Sequence, residues 1–313
     1  MSVKTLSPSM EIEEGRASFQ ALGTSIEVLV TEPEELHMVA EHVRRCVDEI
    51  DLTFSRFRSD SELSRLERGG SEPQRASTLF LELVDLAHKA TESTDGWFDP
   101  TVRDSLEALG YDRSIEQLEA FGPGEERSHR QAGEWYLINY DRGRGLIELR
   151  DDVRLDFGGI GKGFAVDYAL RTLPPIRGGV LVNAGGDLAV AGTSPDAGWI
   201  CDVGTTLDSE VEETVILHEG AIATSGLGRR QWERNGEQLH HLIDPRTGEP
   251  GKSPWRIVSV GAHSCVAAEV AAKVAWLRGE TGPSWLRLIG LSGRFAGNDG
   301  RIVKVGRWPH QTG

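Results

Sequence analysis

The sequence predicts an α+β fold in one compact domain. Its strand-like segments and its helix-like segments do not alternate regularly, which argues against a doubly wound parallel sheet and favours α+β. The chain has 313 residues, a length that fits one large domain or two small ones, and it contains no internal repeat and no low-complexity linker. We therefore expect a flexible N-terminal tail over residues 1–16 and one domain over residues 17–313.

The first third of the chain predicts a strand pair followed by two helices. Residues 18–30, SFQALGTSIEVLV, have strand composition with a break at Gly23–Thr24. Apolar residues recur at helical spacing over 36–54 and again from about 78 to 92. Gly96 follows the second stripe as a stop signal.

The remainder of the chain is richer in strands. Residues 114–134 are polar and aperiodic, so they predict a surface insertion. Helices are expected after the lysine-containing loop, as far as about Leu173, and over His263–Leu277. The strand candidates are WYLINY, GLIELR, GVLVNAGG, WICDVG, ETVILH, RIVSVG and RIVKVG.

Composition limits the class of partner. The net charge of −15 argues against binding to nucleic acid. No apolar run approaches the roughly 18 residues that a membrane span needs, and the N-terminus has neither signal-peptide nor anchor character. Cys46, Cys201 and Cys265 are scattered and lack metal-site spacing, which favours reduced thiols. We expect a cytoplasmic protein that does not insert into membranes.

Lys162 lies in a glycine-rich segment, RLDFGGIGKGFAVDYAL, that runs from Arg154 to Leu170. Such a turn exposes backbone N–H groups and the lysine adds positive charge, so an anionic phosphate is the natural ligand. The spacing matches neither the Walker A loop nor the dinucleotide fingerprint. A phosphate-binding loop and an ordinary glycine turn both remain open.

Two further segments end in residues suited to a ligand. Gly185 and Gly186, after a buried strand, would allow the close approach of a ligand, or would form a hairpin turn. Phe98 and Asp99 would contact a flat ring and its polar edge, or Phe98 would enter the core at a helix end.

The segment around residues 224–241 combines hydroxyl groups with two histidines. Thr224, Ser225 and Gly226 offer two hydroxyls and a backbone amide to phosphate oxygens. His240 and His241 point to opposite faces if they lie in one strand, so only one of them can face a site.

The helix predicted over 263–277 is apolar nearly all round and carries only two charges, Glu269 and Lys273. The i,i+4 spacing allows an exposed ion pair. Because so apolar a helix is expected to be buried, a functional role for the two charges is the alternative.

Seven motifs in this order resemble the FAD:protein FMN transferase (ApbE) family, over about residues 21–279. These motifs are SRFRSDSELSRL, GWFDPTV, LDFGGIGKGFAVD, VNAGGDLAVAG, TSG, HLIDPRTG and the alanine-rich last helix. The resemblance implies a T-fold-like α+β protein with a mixed, largely antiparallel sheet. It also implies that FAD is the substrate, that Mg²⁺ assists, and that FMN passes to a threonine hydroxyl of an acceptor flavoprotein with release of AMP. An FAD-binding protein and an FAD pyrophosphatase, with weak or no transfer, are the alternatives.

The resemblance also implies roles for individual residues. His241 would be the general base for the threonine hydroxyl, and Lys162 would hold the diphosphate. The FAD-binding set would be Phe98, Asp99, Lys162, Gly185, Gly186, Thr224, Ser225, Gly226 and His241.

The metal ligands implied by the resemblance are the Gly161 carbonyl and Glu269. Lys273 stands where the family usually has a third ligand, a threonine, and a charged ammonium has no lone pair to give a metal. We therefore expect Lys273 to reach into the pocket, paired with Glu269, and to weaken the dependence on Mg²⁺.

Overall fold

A nine-stranded antiparallel sheet forms the centre of the protein. The computed structural model describes residues 11–13, 15–114, 117, 133–204, 213–228, 230–234 and 236–308. The strands are β1 Glu11–Glu13, β2 Arg16–Ala21, β3 Thr24–Val30, β4 Gln74–Arg75, β5 Ile138–Asp141, β6 Leu146–Leu149, β7 Gly179–Ala184, β8 Asp187–Gly192, β9 Trp199–Val203, β10 Glu213–Leu217, β11 Gly220–Gly226, β12 Gln231–Arg234, β13 Glu237–His240, β14 Trp255–Ala262, β15 Ser292–Gly297 and β16 Ile302–Val305.

The order in the main sheet is β1-β2-β3-β7-β8-β11-β14-β15-β16, and every described neighbour is antiparallel. Smaller sheets pair β9 with β10, β12 with β13, and β4 and β5 with β6. The helices are α1 Leu36–Phe54, α2 Glu62–Arg68, α3 Thr78–Ser93, α4 Arg103–Ala108, α5 Gly161–Arg171, α6 Cys265–Leu277 and α7 Gly282–Leu288.

Helices α1, α5 and α6 cover one face of the sheet. The helical stripe of α1 places Val39, Val43 and Val47 against Ile26 and Val28 of β3 in one buried cluster. Helix α6 packs on β11 and β14 and against α5, so it is enclosed on several sides and needs apolar residues nearly all round.

The β9–β10 hairpin covers part of the opposite face. Alternate strand residues point to opposite sides of a sheet, so Leu181 and Ile222 face away from the helices. They form a buried cluster with Trp199, Val215 and Trp308. Burial on both faces explains why these central strands contain near-continuous apolar runs.

The predicted α+β class, with a large antiparallel sheet in a single domain, is confirmed. Helices α1 and α3 have nearly the predicted bounds. The segment WYLINY begins with a 3-10 turn, Trp135–Leu137, before β5, and the loop lysine lies in the first turn of α5.

The proposed division at residue 16 stays a prediction. Strand β1 lies within the segment predicted as a tail and pairs with β2, while residues 1–10 and 14 lie outside the described part. Most of the predicted insertion, residues 115–116 and 118–132, also lies outside it. None of the described helices combines the length and the apolar character that a membrane crossing requires.

Candidate active site

A cleft of about 1360 Å³ opens between the loop before α5, the β7–β8 turn, strand β11 and helix α6. Ten of the residues singled out by the sequence line it. They are Gly161, Lys162, Gly185, Gly186, Thr224, Ser225, Gly226, His241, Glu269 and Lys273.

Lys162 lies on the cleft floor in an ion pair with Asp187, and its ammonium is 3.7 Å from Glu269 Oε1. The second oxygen of Asp187 accepts the N–H of Thr224 at 3.1 Å. Burial disfavours the charged lysine, but Asp187 and Glu269 outweigh that effect and raise the pKa of Lys162. The lysine is therefore held in place and charged.

The glycines beside Lys162 do not present their N–H groups to a ligand. Gly161 donates to the Phe157 carbonyl at 2.7 Å, and Gly163 donates to Glu269 Oε2 at 2.8 Å. These two N–H groups therefore do not form the cradle of backbone donors that one of the two interpretations required, because the chain enters a helix there and packs against α6. The lysine side chain remains available to an anion.

Gly185 and Gly186 form the two-residue turn of the β7–β8 hairpin, as one of the two interpretations predicted. Their φ angles are +63° and +95°, which glycine adopts without strain. Asn183 Oδ1 accepts the Gly186 N–H at 2.8 Å. The turn lines the cleft and directs the next residue, Asp187, inward to Lys162.

Strand β11 supplies the opposite wall. The hydroxyl of Thr224 lies 2.8 Å from Ser259 Oγ, so this hydroxyl already has a protein partner. Ser225 and Gly226 continue the wall. A side chain at Gly226 would clash with the carbonyl of Arg256 on β14, which explains the glycine there.

Of the two histidines only His241 lines the cleft, and it lies just beyond strand β13, which ends at His240. The Nδ1 of His241 lies 3.3 Å from the Arg230 carbonyl. Burial, with the positive charges of Arg230 and Lys273, lowers the pKa of His241 well below its usual value. His240 is buried and packs edge-on against Trp276, with ring centroids 5.6 Å apart.

Phe98 and Asp99 are not part of the cleft wall. Both are buried, and Asp99 Oδ1 accepts the N–H and the hydroxyl of Thr101 at 2.7 and 2.6 Å. Burial raises the pKa of Asp99. They lie behind Lys273, whose ammonium is 5.7 Å from the centroid of the Phe98 ring. Their contact with a flavin stays a prediction.

Glu269 and Lys273 do not form the predicted ion pair. The partners of Glu269 are the Gly163 N–H and Lys162, which lie on the facing helix α5. Burial and the nearby Asp187 carboxylate raise the pKa of Glu269 to about 7. Lys273 is only 9% exposed, and burial lowers its pKa despite the attraction of nearby carboxylates.

The chain matches a known protein family along most of its length. The model of the ApbE family matches residues 22–293. The chain belongs to the ApbE family.

Several ApbE-family relatives are similar along most of their length. An FAD:protein FMN transferase of Chlamydia trachomatis is 30% identical over 252 residues, which cover 77% of this chain and 76% of that protein. The FAD:protein FMN transferase of Salmonella typhimurium is 26% identical over 277 residues, or 85% of this chain and 77% of that protein.

Solved ApbE structures share the fold. The Thermotoga maritima ApbE protein superposes with a TM-score of 0.79 at 24% identity, covering 95% of this chain and 97% of that one. The flavinyl transferase ApbE of Pseudomonas stutzeri gives a TM-score of 0.75 at 19% identity and covers 97% of each chain.

The residues of this ApbE-family chain do not fit the Mg²⁺ site that the resemblance implies. Glu269 already accepts the Gly163 N–H and lies beside Lys162. One turn further along helix α6, the residue on the same side is Lys273, which carries an ammonium group. Mg²⁺ requires an octahedron of oxygen ligands, and an ammonium both lacks a lone pair and repels a cation. Among the described residues, no three His, Cys, Asp or Glu side chains come together as metal ligands.

Two cleft residues were not assigned a role from the sequence. Asp187 directly follows the predicted glycine turn, so a search for a counter-charge to Lys162 would have found it. Arg56 lies in the cleft wall, donates from Nε to Asp156 Oδ2 at 2.7 Å and stacks on Phe57, with 4.2 Å from its guanidinium carbon to the ring centroid. Arg56 belongs to the SRFRSDSELSRL motif, so the resemblance offered a signal for it, although no role was drawn from that motif.

Proposed function

We propose that this protein is an FAD:protein FMN transferase, which moves FMN from FAD to a threonine hydroxyl of an acceptor flavoprotein and releases AMP. One observation carries the proposal: the imidazole of His241 and several cationic side chains line the same cleft. His241 can accept a proton, while Lys162, Lys273 and Arg230 can hold a diphosphate. The names of the similar ApbE proteins support the same activity.

His241 has the protonation state that a general base needs. The Arg230 carbonyl can only accept a hydrogen bond, so the proton of the neutral imidazole lies on Nδ1. The lone pair on Nε2 is then free to accept the proton of the incoming hydroxyl. The lowered pKa keeps this form dominant at neutral pH.

The reaction is a displacement at the phosphorus atom on the flavin side of the diphosphate. The threonine oxygen forms a P–O bond to that phosphorus, and its proton passes to His241 Nε2. The bond to the bridging oxygen breaks, and its electron pair leaves with AMP. Lys162 and Arg230 stabilise the negative charge that grows on the leaving phosphate.

Mg²⁺ is given no step in this proposal, because the donor set at its implied position does not suit it. We also propose a cytoplasmic location, supported by three buried cysteines that form no disulfide. FAD and an acceptor flavoprotein are the proposed partners.

The test is to incubate the purified protein with FAD and candidate acceptor flavoproteins. In-gel flavin fluorescence after denaturation measures covalent FMN, and chromatography measures AMP. One AMP for each covalent flavin supports the proposal, and the H241A variant should form both products at least about 100-fold more slowly. AMP with an equal amount of free FMN would instead identify a pyrophosphatase, and the absence of both products would identify a binding protein.

A further inference from the structure

We propose that Lys273 is a built-in cation that binds the FAD diphosphate directly and takes the place of a divalent metal ion at this end of the cleft. The inference rests on the proposed function for the identity of the ligand. The structural argument for the inference comes from the surroundings of the Lys273 ammonium group.

No described residue places a counter-charge in direct contact with the ammonium of Lys273. Its side chain is 9% exposed and lines the cleft, yet it makes no hydrogen bond or ion pair with any residue that the structure describes. An ammonium removed from water is costly unless a partner compensates it. An anionic ligand in the cleft would supply that partner.

Gly159 provides the space that the ammonium occupies. A methyl group at this position would clash with Lys273 Nζ and would lie 3.0 Å from Cδ. The φ of Gly159 is not in the left-handed region, so the backbone does not require glycine there. The absence of a side chain at Gly159 therefore serves to admit the lysine.

Three of the neighbouring carboxylates have other partners, and the fourth, Asp99, makes no ion pair with Lys273 among the described residues: its Oδ1 accepts from Thr101 and its Oδ2 makes no hydrogen bond. Asp187 is paired with Lys162, and Glu269 accepts the Gly163 N–H. Asp156 pairs with Arg56 through Nε at 2.7 Å.

Lys273 and Arg230 are thus the cleft cations without an ion pair among the described residues, and the diphosphate of FAD carries two negative charges for them to bind. The positive charges of Lys273 and Arg230 would repel a divalent cation that entered the cleft.

The test measures binding rather than turnover. FAD affinity of the wild-type protein is measured by flavin fluorescence in EDTA and in Mg²⁺, with riboflavin as the ligand without phosphates. We expect equal FAD affinity in the two buffers. K273M should weaken FAD binding in EDTA by at least about tenfold and leave riboflavin binding unchanged. K89M is the matched control. It removes an exposed lysine on α3 that does not line the cleft, so it should change the affinity for neither FAD nor riboflavin.

Two further measurements keep the test independent of one variant. G159A should displace the ammonium and weaken FAD binding in EDTA, with thermal unfolding as the check on folding. Mn²⁺ electron paramagnetic resonance on the FAD-loaded protein should detect no bound ion in the wild type and one in K273T, where a threonine hydroxyl replaces the charge.

A tenfold gain in wild-type FAD affinity on adding Mg²⁺, one Mn²⁺ bound to the FAD-loaded wild type, or unchanged FAD binding by K273M would each overturn the inference. These results are separate from the transfer assay. Metal-independent FAD binding without covalent transfer would leave this inference intact and refute the proposed function, whereas Mg²⁺-dependent transfer would do the reverse.

Discussion

Lys162 forms an ion pair with Asp187, and the other oxygen of that carboxylate accepts the Thr224 N–H at 3.1 Å. Three elements of the cleft, helix α5, strand β8 and strand β11, are therefore joined through one buried carboxylate. Asp187 is fully buried, so these partners replace the water that its carboxylate would otherwise contact. The lysine that is proposed to hold substrate is also part of the structural support of the site.

We predict that K162M lowers both stability and FAD affinity. The substitution leaves Asp187 buried without its counter-charge, and loss of one partner of a buried pair costs about 3 kcal/mol of unfolding free energy. Urea denaturation measures this change. The exposed pair of Lys89 with Asp85 on α3 is the control, since K89M should change the free energy by less than about 0.5 kcal/mol. Equal effects of the two variants would contradict the structural role of Lys162.

We predict that H241A lowers the rate of transfer by at least about 100-fold with little change in FAD affinity, because a general base acts on the acceptor hydroxyl. Separate measurements of kcat and of the Kd for FAD check this split. A large loss of FAD affinity with an unchanged kcat would show instead that His241 binds substrate.

The adjacent histidine is the matched control for that variant. His240 Nδ1 accepts the Leu242 N–H at 3.3 Å, and the ring packs on Trp276. H240A should therefore lower the free energy of unfolding by about 1 kcal/mol and leave transfer nearly unchanged. If H240A were the more damaging change to kcat, the assignment of the base would be wrong.

We predict that Glu269 makes the protein less stable as the pH rises. Its pKa is about 7 in the folded protein against 4.5 for an ordinary glutamate, so between these values the folded state binds more protons than the unfolded state. The stabilisation is complete below pH 4.5 and is lost as the pH rises through 7. E269Q, which stays neutral, should be more stable than the wild type at pH 8 by up to about 3 kcal/mol, with a much smaller difference at pH 5.

Urea midpoints of the two proteins at several pH values measure that difference. A constant difference from pH 5 to pH 8 would mean that Glu269 is ionised throughout. The side-chain amide of glutamine can still accept the Gly163 N–H, so the substitution changes the charge while keeping that contact.

Local sequence patterns were sufficient to predict some helices and strands and insufficient to predict others. The apolar stripes of α1 and α3 are properties of their own segments, and both helices follow the predicted bounds. Strand β15, SGRFAG, was missed because it is short, carries two glycines and is buried at most of its positions, so it shows no alternation. Its pairing with β14 and β16 is a property of the whole sheet.

The sequence likewise predicted some features of the candidate site correctly and others incorrectly. The sequence predicted that Lys162, Thr224 and His241 share a cleft, because their motifs matched a family in order. It predicted an ion pair of Glu269 with Lys273 because i,i+4 residues lie close together on a helix. The pair does not form, since α5 brings a backbone N–H and a second lysine to the same carboxylate, and sequence spacing contains no information about that packing.

The crossing of α5 and α6 gives the last prediction, which concerns Gly163. A methyl group on Gly163 would lie 2.7 Å from the Cys265 carbonyl oxygen and 2.9 Å from the Val266 nitrogen, both backbone atoms at the start of α6. Asp167 on α5 accepts the N–H groups of the same two residues at 2.9 Å each, so the first turn of α6 has little freedom to move away. G163A should therefore cost about 2 kcal/mol of unfolding free energy and weaken FAD binding, because it separates Lys162 from Glu269 and Lys273.

G161A is the matched control, since its methyl group would meet only the Phe157 Cβ at 3.9 Å, an ordinary contact, and its stability should be unchanged or slightly higher. Urea denaturation of both variants compares the two positions, and equal stability would show that the helices can separate without cost.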